Sequence, residues 1–245
     1  MIEISHLVKR HGSRVVVDDV TFTVEAGRVT GLLGPNGAGK SSALRILLGL
    51  DRPTSGTAFI DGAPYRSLDK PLWTIGAMLD GPGANKGRTA RAHLRWVAQS
   101  NAIPASRVDE VLELTGLQDA ARTRIGGFSL GMGQRLGIAT ALLGNPRVLV
   151  LDEPTNGLDP DGIRWTRRFL RSLADDGKAV LVSSHLMSEM EDTADDFVVI
   201  ARGRIVAQGT TAEVKGTQAT LEDAFFALTD EHAQYRAAGP EDTRR

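Results

Sequence analysis

The chain has 245 residues, 41% of them hydrophobic, so it is long enough to bury a large core without covalent support. It contains no cysteine, which excludes disulfide bonds, thiolate metal sites and cysteine nucleophiles. Its 29 basic and 30 acidic side chains give a formal net charge of −1, so no overall field attracts nucleic acid or anionic lipid.

The first stretch, residues 1–9, alternates apolar and polar side chains and lacks the basic start and continuous apolar run of a signal peptide. We expect it to form a strand of the mature protein. A membrane-spanning helix needs roughly 20 mostly apolar residues. The apolar runs at 148–151 and 197–200 are far shorter, so the sequence predicts a chain that is soluble by itself.

Residues 2–61 follow mainly a period of two, and Asp61 with Gly62 marks a turn at the end of this region. This pattern predicts an antiparallel β layer. Within it, residues 29–33 form a short apolar run that leads into a glycine-rich turn. A helical pattern follows at 41–50, so a strand, a turn and a helix are expected in succession.

The apolar periodicity becomes helical between residues 88 and 143, which predicts a helical subdomain. Beyond it, apolar strand patterns at 148–151, 179–183 and 197–200 are separated by helical or polar segments. Strands that alternate with helices are typical of a mostly parallel sheet.

These segments predict one α/β domain over residues 1–230. Its catalytic core is expected to comprise 1–85 and 145–230, with the helical subdomain inserted at 86–144. The final residues, 231–245, are mostly alanine, glycine, proline and charged residues. They are expected to form a flexible tail.

A phosphate-binding loop is predicted where residues 34–41 match G-x-x-x-x-G-K-[ST] without a mismatch, between the expected strand and helix. Its glycines let consecutive N–H groups point at phosphate oxygens. Lys40 is expected to act catalytically on the β- and γ-phosphates, and Ser41 to bind Mg²⁺. The competing interpretation is a chance glycine turn. The predicted nucleotide-binding residues here are Gly34, Pro35, Asn36, Gly37, Ala38, Gly39, Lys40, Ser41 and Ser42.

Two carboxylates, Asp152 and Glu153, end the apolar run at 148–151. In a P-loop ATPase such a strand presents one acid to Mg²⁺ and a second acid to water. We expect Asp152 to hold the metal ion and Glu153 to orient and activate the attacking water. A polar loop start after a buried strand is the alternative, and the phosphate loop upstream favours the catalytic interpretation.

Three further motifs, in order, resemble those of ABC ATPases: a signature motif at 128–135, a carboxylate strand with its D-loop at 152–160, and a switch-histidine loop at 183–185. The resemblance covers about residues 1–229. It implies an α/β P-loop NTPase fold, with a RecA-like, mostly parallel sheet, an antiparallel β layer and an inserted α-helical subdomain. It also implies an ATP-hydrolysing transporter subunit that uses ATP and Mg²⁺.

The same resemblance implies partners: an integral membrane permease and a second ATP-binding subunit, most simply an identical chain. The expected location is the cytoplasmic side of the cell membrane, reached through the permease. No nucleic acid partner is expected. In this family the signature motif of one subunit faces the nucleotide bound by the other, so one chain holds half of each site.

Four residues take roles from this resemblance. Ser129 and Gly131 would contact the nucleotide of the opposite subunit, with Ser129 also able to cap the following helix. Asp159 resembles the D-loop aspartate that works across the dimer interface, although it can equally cap a helix. His185 would act catalytically by touching the γ-phosphate, and an ordinary loop or core histidine is the alternative.

The chain departs from the common family pattern at several positions. His11 stands where an aromatic residue, most often tyrosine, usually stacks on adenine, so we expect weaker contact with the base. Asp80 stands where glutamine usually binds Mg²⁺, and a carboxylate can still act as a ligand there. Leu130 and Met132 replace a glycine and a glutamine of the signature. This variant resembles bacterial drug- and antibiotic-exporter ATPases, which makes export the favoured direction.

Other classes of P-loop protein fit less well. A GTPase would carry Asn-Lys-x-Asp, but Asn85, Lys86 and Gly87 are followed by Arg88. The main alternative is a soluble ABC ATPase of a cluster-assembly or other non-transport complex. A solvated helix face is favoured over a nucleic-acid surface for one basic cluster. The cluster consists of Arg164, Arg167, Arg168 and Arg171.

Overall fold

The expected α/β fold is present in the computed structural model, which describes residues 1–79, 81 and 83–230. Asp80, Pro82 and the predicted tail at 231–245 lie outside the described residues. The strands are β1 (Ile2–His11), β2 (Arg14–Val24), β3 (Val29–Leu33), β4 (Ser55–Ile60), β5 (Ile75–Met78), β6 (Val148–Asp152), β7 (Ala179–Ser184), β8 (Asp196–Ala201) and β9 (Arg204–Thr210).

The helices alternate with these strands through most of the chain. They are α1 (Lys40–Leu47), α2 (Pro71–Thr74), α3 (Ala90–Ser100), α4 (Ser106–Leu114), α5 (Leu130–Ala141), α6 (Pro160–Asp175), α7 (Met187–Glu191), α8 (Thr211–Lys215) and α9 (Leu221–Asp230). Short 3₁₀ turns occur at Tyr65–Ser67 and Ile125–Gly127. No helix among 1–79, 81 and 83–230 is long and apolar enough to traverse a lipid bilayer.

The predicted antiparallel layer is a three-stranded sheet in the order β2-β1-β4. Strand β1 pairs with β2 through a tight hairpin, in which His11 lies opposite Arg14. One face of this sheet is buried because Ile2, Ile4 and other alternate side chains point into the core. The period-two pattern of the sequence is therefore explained by one-sided burial.

The second sheet has six strands in the order β5-β6-β7-β3-β8-β9. Its first five strands are parallel, and β9 pairs antiparallel with β8. Strands β3, β6 and β7 are buried along their whole length, as expected for a sheet covered on both faces. Their carboxyl ends lead into the phosphate loop, the paired carboxylates and the switch-histidine loop, respectively.

Two apolar clusters fill the faces of the six-stranded sheet. Leu32 belongs to a cluster with the antiparallel sheet and α1, whereas the next residue, Leu33, belongs to a cluster with α3 to α6. Successive side chains of a strand point to opposite faces, which explains this split. The sheet is thus fixed between a β layer and a helical layer.

Helices α3, α4 and α5 fall inside the segment predicted as an insertion. Helices α3 and α4 pack on each other and on α5, and α5 also packs on strand β5 of the sheet. Helix α5, which begins directly after Ser129, therefore connects the helical layer with the sheet. The division into a core at 1–85 and 145–230 and an insertion at 86–144 stays a prediction.

Candidate nucleotide-binding site

The phosphate loop lies between β3 and α1, as its sequence predicts. Gly34 has φ +150°, and a Cβ there would lie 2.1 Å from the carbonyl oxygen of Ile200. Gly39 has φ +111°, and a Cβ there would lie 2.4 Å from the carbonyl oxygen of Val16. Only glycine satisfies both the backbone angle and the space at these two positions. The loop is thereby held close to two neighbouring strands.

Lys40 is the first residue of α1, and its side chain is buried, with 5% of its surface exposed. Its Nζ donates hydrogen bonds to the carbonyl oxygens of Gly34, at 2.6 Å, and Pro35, at 3.4 Å. The same Nζ lies 3.5 Å from Oε1 of Glu153. A buried ammonium requires such partners, and they direct its positive charge into the loop.

Glu153 lies beyond the end of β6, where its backbone takes φ +50°. Its two carboxylate oxygens contact different cationic or protonatable groups: Oε1 faces Lys40, and Oε2 lies 2.7 Å from Nδ1 of His185. A carboxylate only accepts hydrogen bonds, so this contact holds the proton of His185 on Nδ1. The structure therefore brings together the three residues that the sequence predicts to be catalytic.

Asp152 is the last residue of β6 and is buried, with 7% exposure. Its Oδ1 accepts a hydrogen bond from the hydroxyl of Ser183 on the neighbouring strand β7. The carboxylate also lines the same cleft as Ser41. The two predicted metal ligands that the structure describes, Ser41 and Asp152, thus border one space.

A cleft of about 830 Å³ lies over the phosphate loop and the two carboxylates. This volume falls within the range of about 300–1,000 Å³ that is typical of small-molecule sites. Most predicted loop residues line it. The lining comprises Arg14, Val16, Pro35, Asn36, Gly37, Ala38, Gly39, Lys40, Ser41, Ser42, Gly81, Leu130, Gln134, Asp152, Glu153, Asn156 and Gly157.

Seven of these lining residues are additions to the predicted site: Arg14, Val16, Gly81, Leu130, Gln134, Asn156 and Gly157. Arg14 and Val16 arrive through the pairing of β1 with β2, which carries no motif of its own. Gln134 is buried, and its Oε1 has no hydrogen-bond partner among the described residues. Leu130 and Gln134 fall within the signature motif at 128–135, and Asn156 and Gly157 fall within the D-loop stretch at 152–160, so these motifs could have signalled their place in the cleft.

The predicted base-contacting residue, His11, is exposed and is not among the lining residues. It lies across the hairpin from Arg14, which does line the cleft. The role of His11 at the base stays a prediction. The role of Asp80 also stays a prediction, because this residue lies outside the described residues.

Ser129, Gly131 and Asp159 do not line the cleft of their own chain. Ser129 caps α5, since its side chain accepts a hydrogen bond from the Met132 N–H at 3.2 Å. Asp159 caps α6 by accepting from the Gly162 N–H at 2.9 Å. Both residues therefore fill the capping roles that the sequence left open, and their expected contact with a nucleotide in another subunit stays a prediction.

The basic cluster on α6 is largely paired with acidic side chains. Arg167 Nη1 lies 3.5 Å from Asp192, and Arg171 Nη1 lies 2.8 Å from Asp195. Arg164 also contacts an acidic side chain, that of Asp161. Three of the four arginines are thus paired with carboxylates, and Arg168 has no ion pair among the described residues; the pairing fits a solvated helix surface.

Comparison with known proteins places these features in a family. The family model described as ABC transporter matches residues 17–156. The bacitracin transport ATP-binding protein of Bacillus licheniformis is 43% identical over 211 residues, which cover 85% of this chain and 69% of that protein. The lantibiotic transport ATP-binding protein of Streptococcus pyogenes is 37% identical over 225 residues, which cover 92% of this chain and 96% of that protein.

Solved structures agree with this assignment. A structure described as the ATP binding subunit of an ABC transporter superposes with a TM-score of 0.84 at 28% identity, over 94% of this chain and 99% of that chain. The match includes the P-loop fold, with its parallel strands and antiparallel layer, that the sequence predicts. The chain therefore belongs to the ABC transporter family, as one of its ATP-binding and ATP-hydrolysing subunits.

Proposed function

We propose that the chain hydrolyses Mg-ATP as one of a head-to-tail pair of subunits and thereby powers export of a drug or antibiotic through a separate membrane permease. Its expected position is the cytoplasmic face of the membrane. The observation that carries the proposed mechanism is the convergence of Lys40 and His185 on the Glu153 carboxylate at the wall of the cleft. Relatives named for bacitracin and lantibiotic transport support the export of such compounds.

The walls of the cleft fit a triphosphate. The loop backbone offers N–H groups at the start of α1, and Lys40 adds a buried positive charge. Four phosphate charges are best held where such donors are preorganised and partly shielded from water. Lys40 would bind the β- and γ-phosphate oxygens, so the terminal phosphate would lie beside Glu153.

The oxygen donors at the cleft also fit a magnesium ion. Ser41 offers a hydroxyl and Asp152 a carboxylate, the hard ligands that Mg²⁺ prefers. The described residues contain no cluster of three His, Asp or Glu side chains arranged to hold a metal, so phosphate oxygens, water and the predicted ligand Asp80 would complete the coordination. When bound, the ion supplies positive charge to the phosphates and neutralises the charge that develops on them.

Glu153 is suited to act on water because its carboxylate is positioned from both sides. It would accept a hydrogen bond from a water molecule and orient the water oxygen towards the γ-phosphorus. The new bond joins that oxygen to phosphorus, the bond to the leaving β-phosphate oxygen breaks, and the water proton passes to Glu153 and onward to phosphate. His185 would keep Glu153 in position and contact the γ-phosphate.

Pairing of two subunits would complete each site. Ser129, Gly131 and Asp159 lie outside the cleft of their own chain. The first turn of α5 presents N–H groups that can contact an anion, and the Ser129 cap leaves others free. Closure of the pair around ATP and reopening after hydrolysis would move the helical layer, and the permease would receive that motion.

Glu153→Gln is the decisive variant, because it keeps the shape of the side chain and removes its basicity. We expect ATP to bind, while steady-state turnover falls by about 10²-fold or more, the typical contribution of a general base. In light-scattering measurements, the stalled variant is expected to form ATP-dependent pairs. Glu110→Gln is the matched control, since Glu110 lies on α4 and pairs with Arg107.

Two results would contradict the proposal. Wild-type turnover in Glu153→Gln would remove Glu153 as the residue that activates water. Absence of ATP-driven pairing in that variant, with its copurified membrane protein present, would refute the paired mechanism. For the cargo, cells that produce the wild-type complex should tolerate more bacitracin or lantibiotic than cells with the Glu153→Gln complex, and equal tolerance would exclude these compounds.

A further inference from the structure

Ser183, the first residue of the switch-histidine loop, joins the two carboxylates of the site. It lies on β7 directly opposite Asp152 of β6 in the parallel register. Its side chain is completely buried, at 0% exposure. Ser184 ends the strand, and His185 follows it with Nδ1 2.7 Å from Oε2 of Glu153. Ser183 is therefore at the junction of the two strands that supply the acids and the histidine.

The hydroxyl of Ser183 makes two different hydrogen bonds. It donates to Oδ1 of Asp152 and accepts from the backbone N–H of Glu153, at an N···O distance of 3.1 Å. A hydroxyl is the smallest side-chain group that can donate and accept at once. Alanine or valine at this position would remove both bonds, whereas threonine would retain the hydroxyl.

The bond to Asp152 fixes a buried carboxylate. No other described side chain donates a hydrogen bond to Asp152. A buried acid that loses its donor has a free energy cost and relaxes towards another position. Because Ser183 engages Oδ1, it sets the rotation of the carboxylate relative to the cleft that both Asp152 and Ser41 line.

The bond to Glu153 fixes a backbone conformation that is unfavourable for a residue with a side chain. Glu153 has φ +50°, in the left-handed region. Its N–H is shared between the hydroxyl of Ser183 and the Ser183 carbonyl oxygen, 3.2 Å away. This turn directs the carboxylate of Glu153 at Lys40 and His185. Loss of the hydroxyl would leave the N–H of Glu153 with the Ser183 carbonyl oxygen alone.

We infer that Ser183 is a positioning residue of the ATPase site, whose hydroxyl sets the carboxylate of Asp152 for the metal and the turn of Glu153 for water. This inference rests on the proposed function, since it assigns Ser183 an effect through those two acids. In this role the Ser183 hydroxyl would contact neither the nucleotide nor the attacking water. Removal of the hydroxyl should therefore affect hydrolysis and the response to Mg²⁺ more than the binding of metal-free nucleotide.

The test uses three substitutions in the full chain with its copurified membrane protein: Ser183→Ala, Ser183→Thr and Ser183→Val. We expect Ser183→Ala to lower kcat by about tenfold to a hundredfold, as small misplacements of catalytic groups do, with little change in KM for ATP. Threonine and valine have the same shape, so both disturb the packing alike. Ser183→Thr should retain most of the kcat that Ser183→Val loses.

A second readout does not depend on turnover. The Kd for ATP is measured by equilibrium titration once in the presence of Mg²⁺ and once in the presence of a chelator. The difference between the two values is the Mg²⁺ increment, which says how much the metal strengthens nucleotide binding. Ser183→Ala and Ser183→Val should reduce this Mg²⁺ increment, and binding in the chelator should stay unchanged. Thr115→Val is the stability control, because it removes another fully buried hydroxyl, one bonded to the Val111 carbonyl oxygen outside the cleft.

The outcomes separate this inference from the proposed function. Equal kcat and equal Mg²⁺ increments in Ser183→Thr and Ser183→Val would overturn the role of the hydroxyl, even if Ser183→Ala failed to fold. A kcat loss in Thr115→Val as large as in Ser183→Val would also overturn it. Glu153→Gln is measured in parallel: a stalled Glu153→Gln with normal Ser183 variants refutes the inference alone, whereas an active Glu153→Gln refutes the proposed function.

Discussion

One carboxylate, that of Glu153, connects the phosphate loop with the switch-histidine loop. Lys40 approaches Oε1 and His185 approaches Oε2. Each of these residues follows a different strand of the parallel sheet, and the order of the strands places their ends together. The chemistry of the site is therefore produced by the topology of the sheet, since the three residues are far apart in sequence.

Arg14 and His11, which lie opposite each other in the β1–β2 hairpin, can be compared as contacts for a nucleotide. Arg14 lines the cleft, and the described residues contain no ion pair or hydrogen bond that engages its guanidinium. We expect Arg14→Ala to raise the Kd for ATP about tenfold, or about 1.4 kcal/mol. His11→Ala should raise it less, by about twofold, because a small ring offers little stacking area. Equilibrium titration measures both.

Exchange of His6 provides the control. His6 is an exposed histidine on β1, the strand that also contains His11, and it pairs with Asp19. His6→Ala should leave the Kd for ATP unchanged. A larger loss of affinity in His11→Ala than in Arg14→Ala would establish the histidine as the main contact with the base. Unchanged affinity in His11→Ala would reduce that residue to a role in the hairpin turn.

The sequence predicts the residues of the site that belong to contiguous motifs. The phosphate loop is recognisable because close backbone approach demands glycine at fixed positions such as Gly34 and Gly39. Arg14 is different, because it reaches the cleft only through strand pairing. Ser183 begins the switch-histidine loop, but the motif does not predict its contacts, since its partners are set by the register between β6 and β7. Contacts made by tertiary pairing leave no local pattern.

At the scale of elements, two capped helices are connected through one aromatic contact. Helix α5 begins after Ser129, and α6 begins after Asp159. Arg135 of α5 stacks its guanidinium 4.1 Å from the ring centre of Trp165 on α6. Burial lowers the pKa of Arg135, and nearby Asp159 opposes that shift. The signature helix and the D-loop helix are therefore coupled within one chain.

Two substitutions of Asp159 can distinguish its role as a helix cap from its predicted role across a subunit interface. Asparagine at this position keeps an acceptor for the Gly162 N–H, whereas alanine removes it. We expect Asp159→Ala to cost about 1 kcal/mol, which lowers Tm by about 2–4 °C in a chain of this size. Asp159→Asn should keep the wild-type Tm and still lower ATP turnover. Calorimetry and ATPase assays measure the two effects.

Thr89→Ala provides a matched cap variant outside the predicted interface, since Thr89 caps α3 by accepting from the Ala92 N–H at 3.2 Å. Its Tm should fall by a similar amount, while turnover measured well below that Tm stays normal. Wild-type turnover in Asp159→Asn would limit Asp159 to helix capping and would remove it from the interface mechanism.

Periodicity predicts the long elements and says little about the short ones. The buried strands β3, β6, β7 and β8 and the helical stretch of α3 to α5 follow the expected patterns. Strand β5 has only four residues, too few to establish a period, and it is stabilised by parallel pairing with β6. Helix α5 packs on β5 as well as on α3 and α4, a placement that depends on tertiary contacts and not on propensity.

At the scale of the whole molecule, one apolar cluster crosses the boundary predicted between core and insertion. Leu94 and Val111 of the helical layer share it with Leu149 and Val180 of the sheet. Because these residues are buried together, loosening the helical layer exposes the face of the sheet as well. We therefore expect disturbances in α3 to reduce the stability of the entire chain.

His93 on α3 should make that stability depend on pH. It is buried at 4% exposure, and neither ring nitrogen has a hydrogen-bond partner among the described residues. Burial, assisted by the positive charge of Arg88, lowers the pKa of His93. The unfolded chain therefore binds a proton at this position more readily than the folded chain, so the free energy of unfolding decreases as pH falls through about 6.5.

We accordingly predict a lower Tm at about pH 5.5 than at about pH 7.5, with a smaller difference in His93→Gln, which cannot titrate in this range. His6→Gln is the control for the loss of a histidine as such, because His6 is exposed and lies outside the shared apolar cluster. Calorimetric scans of the three proteins at both pH values measure the effect.

Because the shared apolar cluster couples α3 to the sheet, the acid-induced loss of stability should appear as a shift of the main unfolding transition. If the difference in Tm between the two pH values is equal in His93→Gln and in the wild type, acid destabilisation originates elsewhere. A separate unfolding transition below the main Tm would show that the helical layer unfolds independently of the sheet.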